Sequence, residues 1–146
     1  MKIKNTRGPD FIGIGAMRSG TTWLTKCIDS HPDLFIPPLK KEIDFFNLFS
    51  KDNPAGQQQR WNYLKGIDWY ENHFSQANKE QKTGEYSPHY LCDQESPKLI
   101  HQNYPNVKLI LSLRNPIDRA FSHYQYIRRY ANIPNTFEEA LNNNVG

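Results

Sequence analysis

The residues best suited to chemistry form a glycine-rich stretch, GAMRSGTT, at positions 15–22. Its glycines have the spacing of the phosphate loop G-x-x-x-x-G-K-[ST], but Thr21 stands where that motif has lysine. Glycines let the backbone turn tightly and direct N–H groups at an anion, and a helix that follows adds its positive end. Arg18 supplies the cation, and Ser19 and Thr22 add hydroxyl donors. The stretch predicts a phosphate site built from arginine and hydroxyls rather than Mg²⁺, with a plain glycine-rich turn as the alternative.

A second pair of phosphate-binding side chains follows the apolar run at 107–113. Arg114 comes where that run ends, and Ser122 lies eight residues further on. Arginine binds phosphate oxygens through two parallel hydrogen bonds, and a serine two helical turns on can reach the other side of the same group. Each residue alone would fit a surface ion pair or a surface hydroxyl. Together with the glycine-rich stretch, they predict a second phosphate site.

These two sites need a fold that brings the ends of two strands together. The apolar run Phe11–Gly15 predicts a buried strand before the glycine-rich stretch, and a helix over Thr21–Ile28 follows it. Further strands are predicted at 34–36 and 107–113, and an extended segment at 86–90 in which Pro88 favours a strand end or a loop. Further helices are predicted at 42–49, 57–65, 97–103, 115–130 and from Thr136 onward. This alternation predicts an α/β fold: a P-loop-type parallel sheet with right-handed crossovers and helices on both faces. Four strands are few for such a sheet, so we expect a domain that is incomplete at its C-terminus.

Length and composition limit the class of protein. The 146 residues suit one domain, residues 1–146, and 37% hydrophobic with 23% charged residues is a globular composition. A net charge of +3 without a continuous basic stripe favours an anionic ligand over nucleic acid. Cys27 and Cys92 lack the spacing of a disulfide framework or a metal site, so no metal is expected. No apolar run is long enough to cross a membrane and residues 1–6 lack a signal-peptide core, so we expect a cytoplasmic protein without a membrane partner.

The two candidate phosphate sites together resemble one known family. Residues 18–24, RSGTTWL, look like the 5′-phosphosulfate loop of the sulfotransferases that use 3′-phosphoadenosine 5′-phosphosulfate (PAPS) and release adenosine 3′,5′-bisphosphate (PAP). Residues 113–124, LRNPIDRAFSHY, are similar to the segment that binds the 3′-phosphate in that family. The resemblance implies PAPS as co-substrate, bound by Arg18, Ser19, Gly20, Thr21, Thr22, Trp23, Arg114 and Ser122.

The acceptor side of the reaction is predicted from residues 40–47, KKEIDFFN. They resemble the segment of the glycan (heparan sulfate-type) sulfotransferases in which a glutamate before two phenylalanines is the catalytic base. The resemblance implies Glu42 as the catalytic base. The transfer reaction itself suggests two further catalytic residues, Arg18 at the leaving group and Lys41 at the sulfonate or an anionic acceptor, with an ordinary surface lysine as the alternative for Lys41. A base is needed because a neutral hydroxyl attacks sulfur poorly until its proton is taken. His89 is the reserve base, and the alternative for Glu42 is an exposed carboxylate at a helix N-terminus.

One position departs from the glycan branch. Residues 65–70 resemble that branch, but Tyr86 stands where its enzymes often carry a lysine, so Tyr86 either lines an acceptor pocket or packs in the core. The resemblance covers residues 11–130 and corresponds to the N-terminal part of the family's domain, without its later glycine- and basic-rich loop. It implies a small-molecule or glycan acceptor, with carbohydrate favoured. The competing interpretations are a P-loop kinase or NTPase, and a nucleotide-binding remnant without turnover.

Overall fold

A sheet of four parallel strands organises the described part of the chain, which in this computed structural model comprises residues 7–38, 42–47, 62–130 and 136–142. The strands are β1 (Phe11–Gly15), β2 (Leu34–Phe35), β3 (Lys82–Tyr86) and β4 (Lys108–Leu111). Their order across the sheet is β2-β3-β1-β4, and each pairing is parallel. Because all four strands run in the same direction, their carboxyl ends lie at one edge of the sheet.

Helices and short turns connect the strands. The α-helices are α1 (Thr21–Asp29), α2 (Ile67–Glu71), α3 (Ser96–Asn103), α4 (Pro116–Ile127) and α5 (Phe137–Asn142), and 3-10 turns lie at Tyr63–Lys65, Asn72–Phe74 and Pro88–Cys92. Asn115 caps α4, because its Oδ1 accepts a hydrogen bond from Ile117 N at 3.0 Å. Among the described residues, no helix combines the length and the hydropathy that crossing a bilayer requires.

Alternate side chains of β1 enter two hydrophobic clusters on opposite faces of the sheet. Phe11 packs with Ile28 of α1 and with Ile36. Ile12 belongs instead to a larger cluster that includes Ile100 of α3. Helices therefore cover both faces of a parallel sheet, and the predicted α/β fold class is confirmed.

The pairing of β1 with β3 decides the place of Tyr86. It aligns Ile12 with Glu85 and Gly13 with Tyr86, so the two β3 side chains leave opposite faces of the sheet. Tyr86 is fully buried, and its ring fills the space that a Cβ atom at Gly13 would need. Its hydroxyl donates to Gly15 O at 2.8 Å. Of the two alternatives for Tyr86, core packing is therefore correct.

The helix predicted at 42–49 is wrong for the residues that the structure describes, 42–47, which form an irregular segment. The N–H groups of Ile43, Asp44 and Phe45 donate to side chains from another part of the chain rather than to helical carbonyls. Hydrogen bonds to distant side chains thus take the place of the backbone hydrogen bonds that the predicted helix would need. Residues 48 and 49 lie outside the described residues.

The extended segment predicted at 86–90 is displaced along the chain. β3 ends at Tyr86, and Pro88 begins a 3-10 turn. Proline lacks the N–H that a sheet ladder requires, so the strand ends before it. Of the helix predicted at 57–65, residues 57–61 lie outside the described residues and the remainder contains a 3-10 turn.

Candidate functional site

The candidate site lies at the carboxyl edge of the sheet, where β1 and β4 end side by side. The connection from β1 to β2 crosses β3, and the connection from β3 to β4 crosses β1 in the opposite direction. A reversal of this kind opens a crevice beyond the strand ends of a parallel sheet, and ligands bind in such crevices. Residues 16–20 lead from β1 into α1, and residues 112–115 lead from β4 into α4. Because β1 and β4 are adjacent strands, the two predicted phosphate sites lie side by side beyond the sheet.

Backbone hydrogen bonds tie the loop after β1 to the end of β4. Ala16 N donates to Ser112 O, and Ser112 N donates to Gly15 O, each at 2.8 Å. The Ser112 hydroxyl also donates to Ser19 O at 2.6 Å. The glycine-rich loop and the residues before Arg114 are thus held in a fixed relation to each other.

The last residue of this loop, Gly20, has a left-handed backbone with φ +79°. A Cβ atom built there would have no heavy atom within 4 Å, so the backbone angle and not crowding calls for glycine. α1 begins at the next residue, and the N–H groups of a helix's first turn have no helical acceptor. The backbone N–H groups of Thr21 and Thr22 therefore lie at the positive end of α1.

An open cleft of about 430 Å³ lies between the two loops. Its lining residues are Arg18, Gly20, Thr21, Thr22, Trp23, Lys26, Arg114 and Ser122. This set contains every predicted co-substrate residue except Ser19, which is buried and whose hydroxyl has no hydrogen-bond partner in the described part of the chain. Sequence reasoning missed Lys26, although its position four residues after Thr22 puts both on one side of α1.

The side chains of the two loops meet in this cleft. Arg114 Nη1 donates to Arg18 O at 3.5 Å, and Arg18 Nε donates to Ser122 Oγ at 3.2 Å. The Arg18 guanidinium also lies 4.9 Å from the centre of the Tyr126 ring, a cation–π distance. Tyr126, one helical turn after Ser122 on α4, was not anticipated from the sequence. The geometry thus brings the two predicted phosphate sites together, and their role in binding PAPS stays a prediction.

A second group of polar side chains consists of Glu42, Asp44 and His89, whose nearest carboxylate and imidazole atoms all lie within 4.8 Å of one another. His89 Nδ1 is 3.3 Å from Asp44 Oδ1, and Asn47 Nδ2 donates to the same oxygen at 2.9 Å. Asp44 is only 2% exposed, whereas Glu42 and His89 are half-buried. Carboxylates and an imidazole at this spacing can take up and pass on a proton. Lys41 lies outside the described residues.

This acidic group lies at the same edge of the sheet as the cleft. His89 follows β3, and Ser87 N donates to Gly13 O of β1 at 2.9 Å. The end of β3 is thus joined to the strand that leads into the glycine-rich loop. The cleft lies at the ends of β1 and β4, and the acidic group lies at the end of β3, on the other side of β1.

Glu85 is a fully buried carboxylate beside the acidic group, and sequence reasoning did not single it out. Burial raises the pKa of Glu85 to about 7, and the Asp44 charge acts in the same direction. Hydrogen bonds from Ser87, Tyr90 and Tyr70 oppose this shift of the pKa. A charged residue type at a core-facing strand position was the signal that could have identified it.

Comparison with known proteins yields one family. The family model described as sulfotransferase domain matches residues 8–146. A solved structure, the sulfotransferase from Alicyclobacillus acidocaldarius, superposes with a TM-score of 0.75 and 34% sequence identity, covering 92% of this chain and 56% of that one.

Curated proteins with related sequences are also sulfotransferases. The membrane-associated sulfotransferase kil1 of Dictyostelium discoideum is 35% identical over 121 residues, which cover 81% of this chain and 23% of that protein. The mouse heparan sulfate glucosamine 3-O-sulfotransferase 5 is 33% identical over 119 residues, 82% of this chain and 31% of that protein. The Caenorhabditis elegans bifunctional heparan sulfate N-deacetylase/N-sulfotransferase 1 is 32% identical over 123 residues, 82% of this chain and 13% of that protein. The chain thus spans less than a third of the length of these three relatives.

Proposed function

Because this chain belongs to the sulfotransferase domain family, we propose that it transfers the sulfuryl group of PAPS to a hydroxyl or amine of a carbohydrate acceptor. One observation carries the proposal: Arg18 and Arg114, from the ends of adjacent strands, line a single cleft together with the N-terminus of α1. PAPS carries phosphate at both its 5′ and 3′ positions, so it requires two anion sites within one nucleotide's length. The carbohydrate acceptor is supported by relatives whose names state heparan sulfate or its glucosamine.

The residues of the cleft fit the charges of PAPS. Arg18 and the first N–H groups of α1 would hold the 5′-phosphosulfate, and the orphaned hydroxyl of buried Ser19 is a further donor in that loop. Arg114 and Ser122 would hold the 3′-phosphate, as the resemblance implies. Trp23 is 70% exposed at the cleft and offers a ring face on which a base can stack.

The chemistry requires a base and a stabilised leaving group. PAPS supplies the sulfuryl group, which passes to the acceptor oxygen or nitrogen as the bond from sulfur to the 5′-phosphate breaks and PAP leaves. Glu42 takes the proton that the acceptor loses. Arg18 and the N–H groups of Thr21 and Thr22 stabilise the charge that develops on the departing phosphate. The chain contributes mainly positioning and electrostatics, and Lys41 is proposed to steady the sulfonate.

Ligand-dependent thermal stability is the first test. PAP should raise the melting temperature more than ADP or ATP does, with or without Mg²⁺, because only PAP engages both arginines. Transfer of radiolabelled sulfate from PAPS to a panel of glycans then tests turnover, and EDTA should leave the rate unchanged. Turnover of ATP that needs Mg²⁺ and ignores PAPS would instead identify a kinase or NTPase. Binding of PAP without transfer to any acceptor would identify the nucleotide-binding remnant.

Two arginine-to-alanine variants, one inside the cleft and one outside it, test the role of the cleft. Arg18→Ala should lower turnover on the order of 10²–10³-fold, with a smaller loss of PAP affinity, because its main role is at the leaving group. Arg129→Ala, which removes an exposed arginine outside the cleft, is the matched control and should change neither quantity. Equal losses of turnover and PAP affinity in Arg18→Ala would refute the assigned role.

A further inference from the structure

The irregular segment that carries Glu42 is held by three consecutive backbone N–H groups. Ile43 N donates to Glu85 Oε2 at 3.4 Å. Asp44 N donates to Ser87 Oγ, and Phe45 N donates to Tyr90 Oη, each at 3.0 Å. A segment without helix or strand has no ladder of its own, so these side chains fix where its backbone lies.

The three acceptors converge on one carboxylate. The Ser87 hydroxyl donates to Glu85 Oε2 at 2.5 Å, and the Tyr90 hydroxyl donates to Glu85 Oε1 at 2.7 Å. Each of these hydroxyls therefore accepts from the segment and donates to Glu85 at the same time. Hydrogen bonds linked in this way polarise and strengthen one another. Glu85 is thus connected to residues 43–45 once directly and twice through a hydroxyl.

Only a carboxylate suits this place. With Tyr70, whose hydroxyl donates to Oε1 at 2.9 Å, Glu85 accepts four hydrogen bonds and has 0% exposure. An ionised carboxylate accepts about four hydrogen bonds and donates none. Glutamine has the same shape, but its amide nitrogen would face donors. The position of the carboxylate is fixed by strand β3, because Glu85 is aligned with Ile12 of the neighbouring inner strand β1.

We propose that Glu85 is a positioning residue for the sulfuryl transfer, and that its buried carboxylate sets where Glu42 and the Asp44–His89 pair stand relative to the acceptor. The proposal rests on the proposed function in one respect, since Glu42 is the base there. Glu85 itself touches neither substrate. It acts through the backbone of residues 43–45, in the way that the supporting shell of a site holds its reacting groups.

The state of Glu85 matters for this role. The ionisable groups that face it are Tyr70 from α2, Tyr90 from the 3-10 turn after β3, Asp44 from the segment itself, and Tyr104 after α3. Burial, followed by the Glu85 charge, raises the pKa of both Tyr70 and Tyr90, so both remain donors. Protonated Glu85 would have to donate a hydrogen bond itself and so give up one of the four it accepts. The anchor is therefore complete only when Glu85 is ionised.

Two tyrosines provide a matched pair of variants. Each of Tyr70→Phe and Tyr90→Phe removes one buried hydroxyl that donates to Glu85, but only the Tyr90 hydroxyl also holds the segment, at Phe45 N. We expect Tyr90→Phe to lower kcat by about 10-fold or more and Tyr70→Phe to lower it by less than about 3-fold. KM for PAPS should stay unchanged in both, because the cleft lies beyond β1. Equal losses of kcat in the two variants would indicate a general loss of stability and overturn the proposal.

The carboxylate itself is tested with Glu85→Gln in a double-mutant cycle. Glu85→Gln should lower kcat by about 10- to 100-fold. In a Glu42→Gln background, Glu85→Gln should lower kcat by less than about 3-fold more, since the residue through which Glu85 acts is already disabled. The rise of kcat with pH near pH 7 that we expect of the wild type should be absent from Glu85→Gln. Full additivity of the two losses would overturn the proposal.

Amide hydrogen exchange tests whether Glu85 anchors residues 43–45 independently of whether the protein is a sulfotransferase. The amides of Ile43, Asp44 and Phe45 should exchange about 10-fold faster or more in Glu85→Gln than in the wild type, while those of Ile12 and Ile14 in β1 keep their rates. Unchanged exchange at residues 43–45 would overturn the anchoring role even if the enzyme is active. Faster exchange in a protein without PAPS-dependent transfer would uphold the anchor and reject the proposed function.

Discussion

The stability of the folded protein should depend on pH through Glu85. Replacing it by glutamine removes a titratable group from the core while keeping the size of the side chain. The wild-type carboxyl is fully buried, and its pKa is raised from the ordinary value of 4.5 to about 7. The folded protein therefore holds this proton more tightly than the unfolded chain does.

The size and sign of the effect follow from these two pKa values. Between about pH 4.5 and pH 7 the folded state binds more protons than the unfolded state, so the free energy of unfolding falls as pH rises. At about 1.4 kcal/mol per pKa unit, the full difference is about 3 kcal/mol. This contribution is present below the lower pKa and is lost once pH has risen through the upper one. For a chain of this length, it corresponds to a shift of roughly 6–12 °C in melting temperature.

Urea unfolding of the wild type and Glu85→Gln, at steps from about pH 5 to about pH 8, measures this term. The comparison must be a difference between the two proteins, because burial lowers the pKa of His123 and gives an opposite slope near neutral pH. We expect the wild type's free energy of unfolding, relative to that of the variant, to fall by about 2–3 kcal/mol over this range. A constant difference, or one that increases with pH, would refute the reasoning, since the carboxyl would then have an ordinary or lowered pKa.

Substitutions at three further positions test local geometry by urea unfolding. Gly20→Ala should lower the free energy of unfolding by about 1–2 kcal/mol, and Gly20→Asn by less, because the left-handed backbone angle and not a lack of space disfavours other residues there. Equal losses in the two variants would contradict this. Asn115→Ala should cost about 1 kcal/mol by removing the cap of α4, and an unchanged unfolding midpoint would show that the cap does not contribute. Gly13→Ala should cost about 1–3 kcal/mol because its methyl group would displace the Tyr86 ring, and retention of wild-type stability would show that the ring moves freely.

Local sequence signals predicted the elements around the glycine-rich loop well. The run before the glycine-rich stretch forms β1, and α1 begins at Thr21 as expected. Thr136 and Glu139 exchange hydrogen bonds as a capping box at the start of α5, where a helix was predicted to begin. These features depend on residues close together in the chain, where turn and capping chemistry act directly.

The acidic group depends on contacts between distant residues, and its structure was predicted less well. The segment 42–47 has an apolar pattern that suits a helix, yet its N–H groups bond to Glu85, Ser87 and Tyr90, more than forty residues later. Likewise, nothing in the local sequence pairs His89 with Asp44, which lies 45 residues before it. Long-range hydrogen bonds of this kind leave no periodicity in the sequence, so the role of Glu85 and the pairing of Asp44 with His89 emerged only from the fold.

In the proposed reaction, the order of the strands would separate donor recognition from acceptor recognition. The cleft proposed to bind PAPS lies at the ends of β1 and β4, whereas the acidic group lies at the end of β3, on the far side of β1. Under the proposed function, substitutions after β3 would alter which alcohol or amine is modified and leave binding of the donor intact. A scaffold of this kind would then allow many acceptor specificities that share a single activated sulfate.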